Sequence, residues 1–408
     1  MKKRKLILLT DYYPFTLNET FLENEIPYLY ESFDVTIISG DKTSSVKRIV
    51  PEGVQVYRIH PKNGHSKKEI LFAILCFFFS RDGFAETVEI LKTHKLIKER
   101  IRSSLYFYLE SRDYFRELND KHITDLVDKD TLVYSYWSTY ALLAFTQLKK
   151  KRDFSLVTRL HGYDLYNERY MTSRQPFKKQ MHRLINAAIF VSEAGLRYYS
   201  DHFAKDKLVL CRLGTNKPER IPTMEPNHIF TIVSCSNVIS IKRVDIIVQA
   251  LRLIGDIRMK WIHFGDGDEF ERIKQLAKEL PENIEYEFVG RVPNRDVIEY
   301  YSNHYIDCFV TASSTEGGCP VSIMEALSYG IPIISTAVGG IPEMLSGTNN
   351  IVLNEYLLSD GIAKAIQSVY YCSAEDLDAW RKNNMIRWEE EFNNIVNCKK
   401  LVALFKNI

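Results

Sequence analysis

Two successive series of short apolar runs, each run followed by a stretch with helical spacing, limit this chain to a parallel α/β architecture. The first series is Leu6–Leu9, Val35–Ile38, Leu132–Tyr134, Leu156–Leu160 and Ala187–Val191. The second is Phe230–Ser234, Lys260–Phe264, Tyr286–Val289, Cys308–Thr311 and Ile331–Ser335. Continuous apolar runs of this length suit parallel strands covered on both faces. Between the series lies the polar segment Gly214–His228, with Pro218, Pro222 and Pro226, which reads as a linker. The expectation is two doubly wound α/β domains, 1–213 and 229–385, joined by 214–228 and facing a ligand cleft. Residues 61–125 interrupt the first series as a helix-rich insertion. The closing helix, 386–408, is expected to return to the first domain.

Composition removes several classes of function. Lys and Arg number 54 against 52 Asp and Glu, a formal charge of +2. A general nucleic-acid binder needs a larger basic excess to displace counterions, so no nucleic-acid partner is expected. The seven cysteines are scattered without any CxxC pair, which leaves zinc and redox chemistry unsupported. Most sit among apolar residues and suit a reducing cytoplasm as buried thiols. The start, MKKRKLILLTDYYP, reads as a first strand rather than a signal peptide. The longest apolar run, Ile70–Phe79, has 10 residues, about half of a bilayer crossing.

The segment richest in chemical signals is STEGGCPVSIMEALSYGIPIISTAVGGIPEM, residues 314–344. A strand ends in a loop carrying Glu316, Gly317, Gly318 and Cys319. Pro320 suits the first position of a helix, because it has no N–H to leave unpaired. Glycines at a helix N-terminus let the backbone approach an anion, and the helix dipole favours negative charge there. Glu325 follows more than a turn later, placed to receive a sugar hydroxyl. The plainer alternative is a strand–turn–helix with incidental glycines.

This segment resembles the donor-binding signature of the retaining family-4 glycosyltransferases, which have the two-domain GT-B fold. The resemblance implies that Glu316 contacts the donor sugar, that the amides of Gly318 and Cys319 hold sugar and phosphate, and that Glu325 binds the ribose. The family usually has seven residues between the two acids; here there are eight, the extra one in the loop 317–319. SCSNVISIKRVDIIVQAL, residues 234–251, is similar to the family's first strand–loop–helix of the nucleotide domain. There Lys242 matches the diphosphate lysine, while Asn237 stands in place of the usual Arg and Arg243 is adjacent. FVGRVPNRDVIEYY, residues 288–301, matches the element whose loop, around Gly290, Arg291 and Val292, seats the base. TRLHGYDLY, residues 158–166, matches the His-Gly-x-Asp segment, with His161 facing the donor sugar near the reacting carbon. TDYYPFTLNETFLENEIPYL, residues 10–29, matches the first loop and helix, with Asn18 and Thr20 where glycines are usual. Asp266-Gly267-Asp268 reads as polar loop chemistry, with no metal assigned and no cofactor beyond the nucleotide-diphosphate sugar itself.

The resemblance thus implies a metal-independent hexosyltransferase-type enzyme, with Glu316 and His161 catalytic and Lys242, Arg291, Gly318, Cys319 and Glu325 binding the donor. Its partners are a nucleotide sugar and a glycan or lipid-linked acceptor, in cell-envelope or exopolysaccharide synthesis. Two alternatives stay open. One is a GT-B subunit that has lost catalysis and supports an active partner, as Asn237 and the longer loop suggest. The other is a GT-B sugar-nucleotide epimerase. The insertion adds a further expectation. Ile90, Ile97, Ile101 and Leu105 share one helical face, with Lys92, Lys95, Lys98 and Arg102 beside them. This pattern, next to Phe72, Phe77, Phe78 and Phe79, suits either an inward-packed helix or peripheral attachment of residues 70–105 to anionic membrane from the cytoplasmic side.

Overall fold

A computed structural model of the chain describes residues 3–16, 19–41, 43–45, 47–62, 64–354 and 359–408. Asn18, singled out above, lies outside the described residues. The chain divides into two compact units, Met1–Cys211 with Cys398–Ile408, and Arg212–Asn397.

The first unit holds a seven-stranded parallel sheet in the order β3-β2-β1-β4-β5-β6-β7. Its strands are β1 Arg4–Thr10, β2 Phe33–Ser39, β3 Gln55–Arg58, β4 Leu132–Ser135, β5 Ser155–Leu160, β6 Ala187–Phe190 and β7 Leu208–Leu210. Register follows from side-chain alternation. Leu6 pairs with Val35 on one side and Leu132 on the other. Leu6 and Leu8 enter one core layer with Val35, Ile37 and Tyr134. Ile7 and Leu9 enter the opposite layer with Ile38, Val133 and Leu156. Both faces are therefore dry, as a parallel sheet requires. Leu401 and Phe405, from the last helix, Asn394–Asn407, complete the first layer, with Phe405 edge-on to Tyr134.

The second unit repeats the arrangement with six parallel strands in the order β10-β9-β8-β11-β12-β13. They are β8 Phe230–Cys235, β9 Met259–Phe264, β10 Ile284–Gly290, β11 Cys308–Thr311, β12 Ile333–Thr336 and β13 Ile351–Leu353. Strand order reverses between β1 and β4 in the first sheet and between β8 and β11 in the second. Loops leaving the carboxyl ends of such neighbours diverge and open a crevice.

Several expectations are corrected here. The edge strands β3, β7 and β13 were not anticipated: β3 mixes polar and apolar residues, and β7 and β13 are apolar runs of only three residues. The segment 214–228 belongs to the second unit rather than standing between two bodies. Its first residues are packed: Trp388 Nε1 donates to Thr215 Oγ1 at 2.8 Å. The closing helix does not begin at 386, because one helix runs Ala374–Glu391 and the next starts at Asn394.

The insertion forms α2 Lys67–Phe79, α3 Arg81–Leu91 and α4 Ile97–Asp120, which follow α1 Phe21–Ser32. The expected single helix through 90–105 is broken between Leu91 and Ile97. Thr93 Oγ1 donates to Ile90 O at 2.7 Å, and His94 and Leu96 take left-handed backbone angles of φ 53° and 46°. A threonine hydroxyl that bonds the preceding carbonyl competes with helix propagation. Ile90 is buried, and Ile97, Ile101 and Leu105 are partly so. The apolar face of that pattern packs inward.

The most constrained polar contact of the first unit is the ion pair of Arg159 (β5) with Glu25 (α1), both nearly inaccessible. The guanidinium also lies over Tyr136, 5.5 Å from the ring centroid. Removing one member of a buried pair strands the other charge, which costs about 3–5 kcal/mol. Glu25→Ala is therefore expected to lower the stability of the first unit by about that amount. Glu25→Met with Arg159→Met should recover most of the loss, which urea unfolding followed by circular dichroism will measure.

Candidate functional site

The expected site residues fall into two groups, His161 in the first unit and the rest in the second. In the second unit the crevice at the β8/β11 reversal is built from two loops. After β8 the chain makes a short 3-10 turn at Ser240–Lys242, and Arg243 takes a left-handed conformation before the helix Val244–Arg252. After β11 it runs through Ser313–Cys319. Arg243 fastens one loop to the other, donating Nε to Ala312 O at 2.7 Å and a terminal nitrogen to Ser313 O at 3.2 Å. Ser314 N donates to Ile241 O at 2.8 Å. Arg243 thus holds backbone carbonyls, and it is Lys242 whose ammonium enters the crevice. There it forms an ion pair with Glu316, both side chains mostly shielded from solvent. Residues 74 positions apart are brought together. Asn237 lies exposed.

The Glu316–Cys319 loop is shaped by the two glycines that follow β12. Gly339 has φ +57°, and a Cβ there would stand 2.4 Å from Glu316 O. Gly340 N donates to Gly318 O at 3.1 Å. Only glycine permits this approach, so the Gly-Gly pair is the mould for the loop. Cys319 is buried with its Sγ 4.0 Å from Glu343 Oε1. Burial, with Glu343 adding, pushes its thiol up to about 12, so the thiol stays protonated at neutral pH.

Pro320 occupies the cap position, one residue earlier than expected, and the helix runs Val321–Ser328. Among the described residues no side chain caps it. Its first amides carry the positive end of the helix dipole, and Ile323 N turns back to Pro320 O at 3.2 Å. Glu325 sits in the second turn, 4% exposed. Burial pushes its carboxyl up to about 7, although Asn294 Nδ2 donates to Oε1 at 2.8 Å and favours the charged form. Asn294 opens the helix Asn294–Asn303 just beyond the loop 290–293. It therefore ties Glu325 to the loop that carries Arg291, whose side chain is exposed. Sequence reasoning missed Asn294, which reads as an ordinary helix-start residue.

The Asp266–Asp268 loop packs back on the β8 side. Val238 N donates to Asp266 O at 3.0 Å, and Asp266 Oδ1 accepts from Gly267 N at 2.7 Å. Gly265, at φ +136°, lies so close to Ser236 O that a Cβ would meet it at 1.8 Å. Beneath these loops His263 is fully buried, with Nδ1 2.7 Å from Ser234 Oγ. Burial pushes its pKa down to about 4, so it is a neutral support.

In the first unit His161 follows β5. Its amide donates to Asp164 Oδ1 at 2.9 Å, and Ser138 N donates to Oδ2 at 2.8 Å. Asp164 thereby pins the end of β5 to the loop after β4. The imidazole lies against Trp137, Tyr136 and Phe21, at centroid distances of 4.4, 4.8 and 5.9 Å. Among the described residues neither ring nitrogen has a hydrogen-bond partner. Burial, with Arg159 adding, holds the ring well below its usual pKa, so it is neutral and can donate one hydrogen bond.

The first loop is organised by a residue that sequence reasoning passed over. Glu19 accepts the amides of Asp11, Tyr12 and Tyr13 at 3.1, 2.8 and 2.5 Å, and Trp137 Nε1 as well. Beside it, burial and the charges of Glu19 and Asp164 push Asp11 up to about 7. Thr20 caps α1 without a side-chain hydrogen bond.

Comparison with known proteins places this geometry. The family profile for glycosyl transferases group 1 matches residues 219–386. N-acetyl-alpha-D-glucosaminyl L-malate synthase of Bacillus anthracis is 28% identical over 178 residues, 43% of this chain and 44% of that protein. The putative colanic acid biosynthesis glycosyltransferase WcaL of Escherichia coli K12 is 21% identical over 62% of this chain and 64% of its own length. The chain thus matches less than two thirds of the length of these curated relatives. Among solved structures, Anabaena Alr3699/HepE in complex with UDP superposes with TM-score 0.68 at 14% identity, covering 99% of this chain and 100% of that one. Sucrose-phosphate synthase of Thermosynechococcus elongatus gives TM-score 0.71 at 15% identity, with 99% of each chain covered. The fold is GT-B, and within it residues 219–386 are similar to the glycosyl transferases group 1 family.

Proposed function

We propose that the protein is a retaining glycosyltransferase that moves a sugar from a nucleotide-diphosphate sugar to a hydroxyl acceptor in cell-envelope or exopolysaccharide synthesis. The carrying observation is the Lys242–Glu316 pair at the β8/β11 reversal, beside the uncapped helix start at Pro320. Its chemistry suits departure of a nucleoside diphosphate. Negative charge develops on the leaving phosphate, where Lys242 and the first amides of the Val321–Ser328 helix stabilise it. Glu316, turned to the donor sugar, takes hydroxyl hydrogen bonds, and Glu325 takes those of the ribose. Neutral His161 in the first unit is suited to donate a hydrogen bond near the reacting carbon. The relatives named for colanic acid assembly and the neighbour solved with UDP support the substrate class. The acceptor is a glycan or lipid-linked hydroxyl, and the enzyme works from the cytoplasmic side, peripheral to anionic membrane through residues 70–105. Among the described residues no helix is long and apolar enough to cross a membrane.

Lys242 and Glu316 are separable by substitution. Lys242→Ala removes a charge-assisted contact of about 1.5–3 kcal/mol, so affinity for UDP should fall roughly tenfold or more. Glu316→Gln removes the competing anion and should leave UDP binding intact or tighter, while transfer falls. Calorimetric titration with nucleoside diphosphates decides this: unchanged affinity of Lys242→Ala for all of them takes Lys242 out of the site.

Glu325 links binding to pH. A carboxylate accepts ribose hydroxyls better than a carboxylic acid does, so UDP-sugar affinity should rise as pH passes upward through about 7. Glu325→Gln should show a flat profile. Stability moves the other way. The folded protein holds this proton more tightly than the unfolded chain, so the contribution is full at acid pH and is lost as pH rises to about 7. Thermal melts across that range should show Glu325→Gln gaining on the wild type.

Transfer should also persist in EDTA. Activity lost to the chelator and restored by Mg²⁺ or Mn²⁺ would make Asp266 and Asp268 metal ligands instead of loop-forming residues.

A further inference from the structure

Helix α2 departs from the usual match between hydropathy and burial. After Lys67 and Lys68 its sequence, EILFAILCFFF, is apolar around nearly the whole circumference. Helices of that kind belong inside a core or a membrane. Yet Ala73 and Phe77 are its only buried residues. The opposite face, Leu71, Phe72, Leu75, Phe78 and Phe79, stands open, with Leu71 60% and Phe79 87% exposed. Elsewhere in the insertion Phe84, Leu91 and Leu96 are exposed as well. Contiguous apolar surface of this extent marks a binding face.

Charge says what covers it. Between residues 64 and 106 the exposed bases include Lys67, Lys68, Lys92, Lys95, Lys98 and Arg102, whereas Glu99 is the only exposed acid, Glu69 and Glu89 being partly buried. The whole chain carries only +2, so this excess is local. Apolar side chains bordered by lysines match a bilayer with anionic headgroups. A second copy of the chain would instead bring one basic border against another. The helix has 13 residues, about 20 Å of length, which is too short to span a bilayer and sufficient to lie in its surface.

We propose that the outer face of α2, extended by α3 and the turn before α4, docks the protein on anionic lipid, with α2 in the interfacial plane and the lysines on headgroups. The inference rests on the peripheral location proposed above and narrows the inserting element within residues 70–105 to α2, because the isoleucines of 90–105 face inward.

The test is flotation with vesicles of phosphatidylcholine alone and of phosphatidylcholine mixed with phosphatidylglycerol. Wild type should float with the mixed vesicles, bind the neutral ones at least tenfold more weakly, and release in high salt. Leu71→Asn with Phe79→Asn, both outside the donor site and well exposed, should weaken binding at least tenfold and leave UDP-sugar turnover with a soluble acceptor unchanged. Lys92→Ala, Lys95→Ala and Lys98→Ala together should lose the preference for anionic lipid. Wild type that ignores the mixed vesicles, or a double variant that binds them as tightly, overturns the proposal. So does a solution dimer that the double variant dissociates without any lipid binding. Failure of the glycosyltransferase reading is a separate result: no turnover of any nucleotide sugar, with vesicle binding intact.

Discussion

The ion pair of Lys242 with Glu316 joins the two loops that a doubly wound sheet necessarily drives apart. Strand order reverses between β8 and β11, so the helices after these strands cover opposite faces and their first turns diverge. Something must close the gap, or the loops would have no fixed shape. Arg243 does it at the backbone level through Ala312 and Ser313, and Lys242 does it at the level of charge. The division of labour is physical. A guanidinium with several fixed donors suits carbonyls at the base of the crevice, while a single mobile ammonium can exchange a carboxylate for a phosphate. The pair is therefore a structural closure, and under the proposed function it is also the contact that an incoming diphosphate would exchange.

The first unit solves the same geometric problem with a carboxylate instead of a cation. At the β1/β4 reversal Glu19 gathers three successive amides of the loop after β1 and the indole of Trp137 after β4. Asp164 does the equivalent for β4 and β5. Loops that look long and polar are thereby fixed by a few side chains with several hydrogen bonds each. The glycines expected in the first loop are not needed for this, because the amides are turned toward Glu19. One consequence is an accumulation of acid at these strand ends. Asp11 is buried there, with Glu19 and Asp164 adding to the effect, and its proton is retained to about pH 7.

How much of this was legible depends on how local each cause is. Central strands are dry on both faces, so Leu6–Leu9 or Cys308–Thr311 announce themselves as apolar runs. The edge strands β3, β7 and β13 are set by the neighbour they pair with, which a linear reading does not contain. The Gly-Gly pair at 339–340 was visible as residues, but its purpose was not. Only the fold shows Gly339 against Glu316 O. Asn294 and Glu19 escaped for the same reason, since each acts on a segment reached through the tertiary structure. The eight residues between Glu316 and Glu325 were legible as spacing, and the structure places Glu316 in the loop before Pro320 and Glu325 in the second turn of the helix that follows.

The insertion shows where periodicity misleads. Residues 90–105 carry a convincing amphipathic repeat, yet Thr93 turns its hydroxyl on Ile90 O and the chain reverses before Ile97. The repeat is real on both sides of the break, and its isoleucines pack inward on each. The helix that lacks a clean repeat, α2, is the one left with an open apolar face. A weak amphipathic signal was the relevant one: a helix apolar on every side has more hydrophobic surface than this small insertion can cover. The unit behind it consists of a sheet already sealed on both faces, with α4 between that sheet's core and the solvent. Lining α4 takes only one stripe of α2, through Ala73 and Phe77. The surplus is therefore fixed by arithmetic of surface, and its position, outside the layers that shape the sheet, frees it from any part in holding the strands together.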